Sequence, residues 1–240
     1  MNAIDVKNLD HKTINEALRK VGEECELVNC CGQRFIAAGM ADMKIVVKGT
    51  PGNALGAYLN GCEIVVDANA QDAVGDTMND GDIIVRGNIG DAAGYAMRGG
   101  RIFVQGNAGY RAGIHMKEYQ EKKPLIVVGG RAGCFLGEYQ AGGVIVVLGL
   151  HTDGSKIVDA FPCTGMHGGK IFLRSKCSDV TFPAQVAARP ANEQDLDELR
   201  DKLADYCKIF DLDLEEVMNA PFTVVTPDSK NPYKQMYVAN

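Results

Sequence analysis

A triplet of β-branched and aromatic residues recurs along the chain. Ile45-Val46-Val47, Ile64-Val65-Val66, Ile83-Ile84-Val85 and Ile102-Phe103-Val104 begin nineteen residues apart. Ile126-Val127-Val128 follows after twenty-four, Ile145-Val146-Val147 after nineteen and Ile171-Phe172-Leu173 after twenty-six. Two insertions, at about Lys117–Pro124 and His151–Pro162, account for the longer gaps. Glycines keep the same register. Four residues past the leading Ile stand Gly49, Gly87, Gly106, Gly130 and Gly149; seven past stand Gly52, Gly90, Gly109 and Gly133. Eleven past stand Gly56, Gly75, Gly94, Gly113 and Gly137. Fourteen past come Leu59, Met78, Met97 and Met116, a column broken by the polar Gln140, and Met40 and Met166 hold the matching slot at either end. Each unit is a short strand, then turns where Gly best tolerates the backbone angles, then a second apolar step.

Such a unit cannot bury its apolar face alone, so copies must stack. The pattern predicts an all-β solenoid, a right-handed parallel β-helix of about seven rungs. Equivalent residues then form columns ~4.8 Å apart. Asn69, Asn88 and Asn107 form one, with side-chain amides expected to bond along the stack. The Met column reads as core rather than as a metal or haem site, because it shares its slot with Leu59.

Side chains alternate along a strand, which orients the triplets. The flanking positions are mostly polar: Lys44, Glu63, Asp82 and Arg101 before the triplet, Lys48, Asp67 and Arg86 after it. First and third residues therefore point inward. Opposite charges fall one rung apart, Lys44 beside Glu63, Asp82 beside Arg101, and Lys48–Asp67–Arg86 in sequence. The middle residues Val46, Val65, Ile84, Phe103, Val127, Val146 and Phe172 become an outward apolar stripe, which requires a cover. Asn192–Phe210 is one candidate, a helix with Leu196, Leu199, Leu203, Tyr206 and Phe210 on one side. A partner protein, or a second copy of the chain, is the other.

Three regions follow: 1–36, a small α/β cap; 37–182, the β-helix; and 183–240, a helical extension. In the cap, Thr13-x-x-Glu16 matches a capping box opening a short helix. In the extension, a short helix near Leu214–Met218 and an extended Phe222–Thr226 follow the long one, and Gln235–Asn240 reads as a loose or docked terminus.

Composition narrows the function. A formal charge of −6 and a pI near 5.3 argue against nucleic-acid and anionic-membrane partners. No signal pattern or bilayer-length apolar run is present, so a cytoplasmic home and eight reduced Cys are expected. None of the Cys forms a CxxC pair. No GxSxG or P-loop occurs, and stretches such as Gly87-Asn88-Ile89-Gly90 recur in most rungs rather than opening one dinucleotide unit. His11, His115, His151 and His167 are scattered, His167 in a corner slot. The second insertion, with Asp153, Asp159 and Cys163, is the one polar cluster that breaks the pattern. A polysaccharide-active β-helix would need a carboxylate cluster and sugar-stacking aromatics, and the chain has no Trp. A hexapeptide acyltransferase would need a six-residue period.

The registered G-x-x-G-x-x-x-G pattern, as in Gly49-Thr50-Pro51-Gly52-Asn53-Ala54-Leu55-Gly56 and Gly87-Asn88-Ile89-Gly90-Asp91-Ala92-Ala93-Gly94, resembles the GXGXG family. The resemblance covers roughly residues 36–180 and is to the C-terminal β-helix of the glutamate synthase large subunit. It implies a non-catalytic structural subunit of a complex that converts glutamine and 2-oxoglutarate to glutamate. Catalysis, FMN and the iron–sulfur cluster would then sit on partner subunits, a glutaminase and an FMN/iron–sulfur synthase, as in a split-gene arrangement. No catalytic, cofactor or metal residue carries over. The β-helical subunit of formylmethanofuran dehydrogenase and its formyltransferase/hydrolase relatives are similar too, and Gly165-Met166-His167-Gly168-Gly169-Lys170-Ile171 suits either branch. An orphan interaction scaffold is a further alternative. Residues 191–240 lie outside what the family pattern explains.

Overall fold

A computed structural model describes residues 2–152 and 154–228. Asp153 and the segment Gln235–Asn240 lie outside the described residues. The chain opens with β1 (Asn2–Asp5), α1 (His11–Val21) and β2 (Glu24–Cys31). The repeating strands are β3 (Lys44–Thr50), β4 (Asn60–Val66), β5 (Asp80–Val85), β6 (Arg101–Val104), β7 (Leu125–Val128), β8 (Ala141–Val147) and β9 (Gly168–Leu173). Then come β10 (Val186–Pro190), α2 (Glu193–Ile209), α3 (Leu214–Met218) and β11 (Thr223–Pro227).

All eleven strands join one sheet, in the order β1 to β9, then β11 and β10. Parallel pairing holds each triplet in the register of the repeat: Ile45 pairs with Ile64, Ile64 with Ile83, Ile83 with Ile102, and so on to Ile145 with Ile171. The parallel solenoid has eight turns rather than seven, β2 to β9, because Cys25-Glu26-Leu27 pairs with Ile45-Val46-Val47. That turn is disguised in the sequence. Cys25 and Leu27 occupy the inward slots and are fully buried, and Asn29, at a register shift just before the Cys30–Gly49 pair, takes a positive φ (62°). Asn is the non-glycine residue that most readily adopts this conformation.

The first and third residues of the triplets bury completely, and the Leu59, Met78, Met97 and Met116 column lies in the same core. The expected charge pairs form along the outer face: Lys44–Glu63 at 2.7 Å, Asp82–Arg101 at 2.6 Å, Asp67–Arg86 at 3.8 Å, and Lys48–Asp67. Gln140 is buried in the Met slot, where its Nε2 donates to the carbonyls of Gly142 and Gly143 at a register shift in β8.

The cap differs from the sequence expectation at one point. α1 begins at His11 with Asp10 as its N-cap, whose carboxylate accepts from Thr13 N–H at 2.8 Å. Thr13 is therefore inside the helix and opens no capping box. Asp10 competes successfully because an ionised carboxylate at Ncap accepts a charge-assisted bond beside the positive helix end. The long helix matches its expected span, with Asn192 and Asp195 closing a reciprocal capping box. Extended residues Thr223–Val225 run antiparallel to β9, and β10 pairs with β11 as the edge strand at that end of the sheet.

Candidate interaction surfaces

The apolar stripe is covered by the chain's own helix. Ile84, Phe103, Val127, Val146 and Phe172 form a second core with Leu199, Leu203, Tyr206 and Phe210 of the α2 region. Phe103 meets Tyr206 edge-to-face at 5.7 Å, and the Tyr206 hydroxyl donates to Val104 O at 3.0 Å. Ion pairs flank the seam, Arg101 to Asp205 and Lys170 to Glu198, each at 2.5 Å. A glycine makes the fit: a Cβ on Gly129 would meet the Tyr206 hydroxyl and Gln105 O well inside contact distance. Val46 and Val65, at the other end of the stripe, stay half-buried. The stripe is thus largely internal, and little of it remains for a partner.

The glycine corners are built in two ways. Gly87, Gly90, Gly106, Gly109, Gly130 and Gly133 lack the left-handed φ expected of turn glycines. They are small because something from the rung before lies against them. Asn69 Oδ1, Asn88 Oδ1 and Asn107 Oδ1 occupy the space where Gly87, Gly106 and Gly130 would carry a Cβ. Each of these oxygens accepts a backbone N–H one rung on: Asn69 from Asn88 at 2.8 Å, Asn88 from Asn107 at 2.7 Å, Asn107 from Arg131 at 2.8 Å. The Asn ladder therefore bonds side chain to backbone, not amide to amide, because the glycine lets the oxygen reach the main chain. A parallel row does the same through Asp72 and Asp91, whose Oδ1 atoms accept from Asp91 and Tyr110 N–H and crowd Gly90 and Gly109. Gly49, with φ of 113°, and Gly52 instead face the carbonyls of Cys30 and Gly32 in the turn before.

The third glycine column needs both features. Gly56, Gly94, Gly113 and Gly137 have φ between 64° and 72°. A Cβ on Gly56 or Gly137 would fall 2.6 Å from Cδ1 of Ile83 or Ile171, and one on Gly94 2.5 Å from Cδ1 of Ile126. The residues two before and two after are also left-handed, though they carry side chains: Ala54 and Tyr58, Ala92 and Ala96, Arg111 and His115, Phe135 and Tyr139. Left-handed L-residues cost roughly 1–2 kcal/mol each. Their inter-rung hydrogen bonds offset it. Phe35 N–H donates to Asn53 O and Gly39 N–H to Ala57 O, and the pair recurs from Ala54 and Tyr58 to Asp72 and Asp76. It repeats up the stack to Phe135 and Tyr139, which donate to Ala160 O and Thr164 O at 3.0 and 2.8 Å. No described residue covers this corner face. Tyr58, Tyr95, Tyr110, Tyr139 and Phe161 are exposed on it, His115 stacks on Tyr139 at 5.1 Å, and Phe135 stacks on Phe161 at 5.3 Å.

The titratable groups are dispersed. The second insertion does not assemble a polar site among its described residues. Asp159 pairs with Arg131 at 3.1 Å, His167 Nδ1 lies 3.0 Å from Gly165 O, and Cys163 is fully buried. Burial pushes the Cys163 thiol up to about 12 and Cys30 up to about 11, the reverse of what a thiolate nucleophile or ligand needs. Among the described residues no group of three or more His, Cys, Asp or Glu is placed to hold a metal ion, and no helix is long and apolar enough to cross a membrane.

Comparison with known proteins agrees with this architecture. A solved structure of the formyltransferase/hydrolase complex FhcABCD from Methylorubrum extorquens, in complex with methylofuran, contains a chain of the same fold. It superposes with a TM-score of 0.56 at 15% identity, over 92% of this chain and 89% of that one. A protein of Methanocaldococcus jannaschii described as uncharacterized protein MJ1350 is 39% identical over 98% of this chain and 95% of its own length. The model of the GXGXG motif family matches residues 3–228, extending past the expected 36–180 into both ends. The chain belongs to the GXGXG motif family.

Proposed function

We propose that this chain is a non-catalytic structural subunit of a glutamate-synthase-type complex, which converts glutamine and 2-oxoglutarate to glutamate on partner subunits. The observation that carries the proposal is the glycine corner, whose three registered columns are filled by side chains and carbonyls of neighbouring rungs. In this reading those turns serve as stacking hardware. FMN and the iron–sulfur cluster belong to the synthase partner in this scheme. The glutaminase is the second partner. In this scheme α1 caps the first turn, β2 to β9 form the scaffold and α2 covers the stripe.

The likeness to a chain of the FhcABCD complex supports a second reading, a β-helical scaffold in a formyltransferase/hydrolase assembly, as in formylmethanofuran dehydrogenase. Both make the chain a member of a larger assembly. Gentle purification of the tagged chain from its own cells, with mass spectrometry of what accompanies it, separates them. An FMN/iron–sulfur synthase subunit with a glutaminase is the expected result. Formyltransferase subunits would replace the first reading with the second. Recovery of the chain alone would overturn both.

A further inference from the structure

The two ends of the glycine corner are finished differently. At the start, Asn15 of α1 is buried against the first turn. Its Oδ1 accepts from Ala37 N–H and its Nδ2 donates to Phe35 O, both at 2.8 Å. A side chain thus stands in for the rung that is missing there. At the far end, Phe161, Cys163 and Gly165 repeat the left-handed backbone of the earlier corners, with φ of 60°, 62° and 70°. Every corner below donates two N–H groups upward, to backbone carbonyls four residues apart. Here Phe161 N–H and Gly165 N–H, the next such pair, find no acceptor among the described residues.

The same end is apolar. Phe161 is 63% exposed, its ring stacked on Phe135, which carries the Arg111 guanidinium at 4.9 Å. Beside it lies a cleft of about 490 Å³, walled by Val158, Ala160, Val180 and Thr181 and rimmed by Lys156 and Asp179. Solvated donors cost the free chain nothing, but an open edge is a template for another backbone.

We propose that this open corner, Phe161 to Gly165, docks a turn-forming polypeptide segment of a partner subunit that continues the hydrogen-bond ladder by one more turn. The inference rests on the scaffold reading above. The occupant is a backbone because each of the six occupied corners offers its donor pair to peptide carbonyls with one fixed spacing. Its side chains are apolar where they meet Phe161 and the cleft, since a charged group there would lose water without gaining a partner.

The test is amide hydrogen exchange at Phe161 and Gly165, in the free chain and in the complex reconstituted with the FMN/iron–sulfur synthase and glutaminase subunits. Slow exchange at both amides only in the complex is expected, with Ala92 and Ala96 slow in both. Phe161→Asp should weaken assembly about ten-fold or more, as loss of an exposed anchor does. Asp suits the left-handed backbone better than Phe, so the fold is not at risk. Tyr58→Asp, at the other end of the same face, should assemble normally. A complex that forms with unchanged exchange, or undisturbed by Phe161→Asp, would overturn the docking site and leave the proposed function standing. Protection already present in the free chain would also overturn it, by showing that the chain itself or a second copy fills the edge. If no complex forms, the docking site and the proposed function fall together.

Discussion

Replacing Gly129 by Ala probes whether α2 seals the apolar stripe in solution. Gly129 has no left-handed φ, so the substitution carries no backbone strain and acts by contact alone. The new methyl would press on the Tyr206 hydroxyl and on Gln105 O. Overpacking of this kind costs about 1–3 kcal/mol. Tyr206→Phe alone removes the bond to Val104 O, but that carbonyl keeps Gly129 N–H as a donor at 2.8 Å. With no buried acceptor orphaned, the loss is about 1 kcal/mol. In the double variant the methyl gains the space of the missing hydroxyl, while its contact with Gln105 O persists. The pair should therefore cost less than the sum, by on the order of 1 kcal/mol. Urea titrations followed by circular dichroism and tyrosine fluorescence give the four free energies. Strict additivity, or a silent Tyr206→Phe, would refute the helix as the stripe's cover.

Three further outcomes are expected. Asn15→Leu should orphan Ala37 N–H in a buried cap at about 1–3 kcal/mol, while Phe35 O keeps Ala38 N–H as a donor; a urea midpoint within error of the parent would dismiss the side chain as a rung substitute. Gly94→Ala should destabilise by about 1–3 kcal/mol through Cδ1 of Ile126. Ile126→Val, which deletes that atom, should relieve part of the penalty, and an unrelieved penalty would assign it to the backbone instead. Stability should fall as pH rises above the ordinary thiol range. Desolvation raises Cys30, Cys163 and the Tyr206 phenol, so the native state holds protons that the unfolded chain has released. The contribution of a raised group is complete below its unfolded pKa and disappears as pH climbs towards the folded one. Urea midpoints at pH 7.5 and pH 10 should show a drop, and a flat profile would count against burial of these groups.

Much of this architecture is written in spacing. A nineteen-residue period carrying one Ile, its polar flanks and three glycines leaves the chain one way to bury its apolar residues, and every triplet paired as the period requires. The outward stripe was legible too, because alternation is a local property. Its cover was not. Whether Tyr206 meets Phe103 or a partner's residue depends on how the chain after Phe182 turns back, which periodicity does not encode. The extra turn at β2 escaped for a different reason: Cys25 and Leu27 fill the inward slots of the repeat without its usual residues, and a register shift at Asn29 breaks its spacing.

The glycines divide the same way. Their register came from the sequence, which marked them as indispensable and suggested backbone angles as the cause. The tertiary structure gives one column both causes and leaves close approach alone at Gly87, Gly90, Gly106, Gly109 and Gly130, where an Asn or Asp oxygen from the previous rung fills the place of a Cβ. The reason is that a gap at Gly106 is defined by Asn88, nineteen residues before Asn107 in the chain but one rung away in space. The same holds at the ends of the corner. The sequence marks the repeat, but only stacking shows that Asn15 closes one edge and that Phe161 and Gly165 N–H at the other have no acceptor among the described residues.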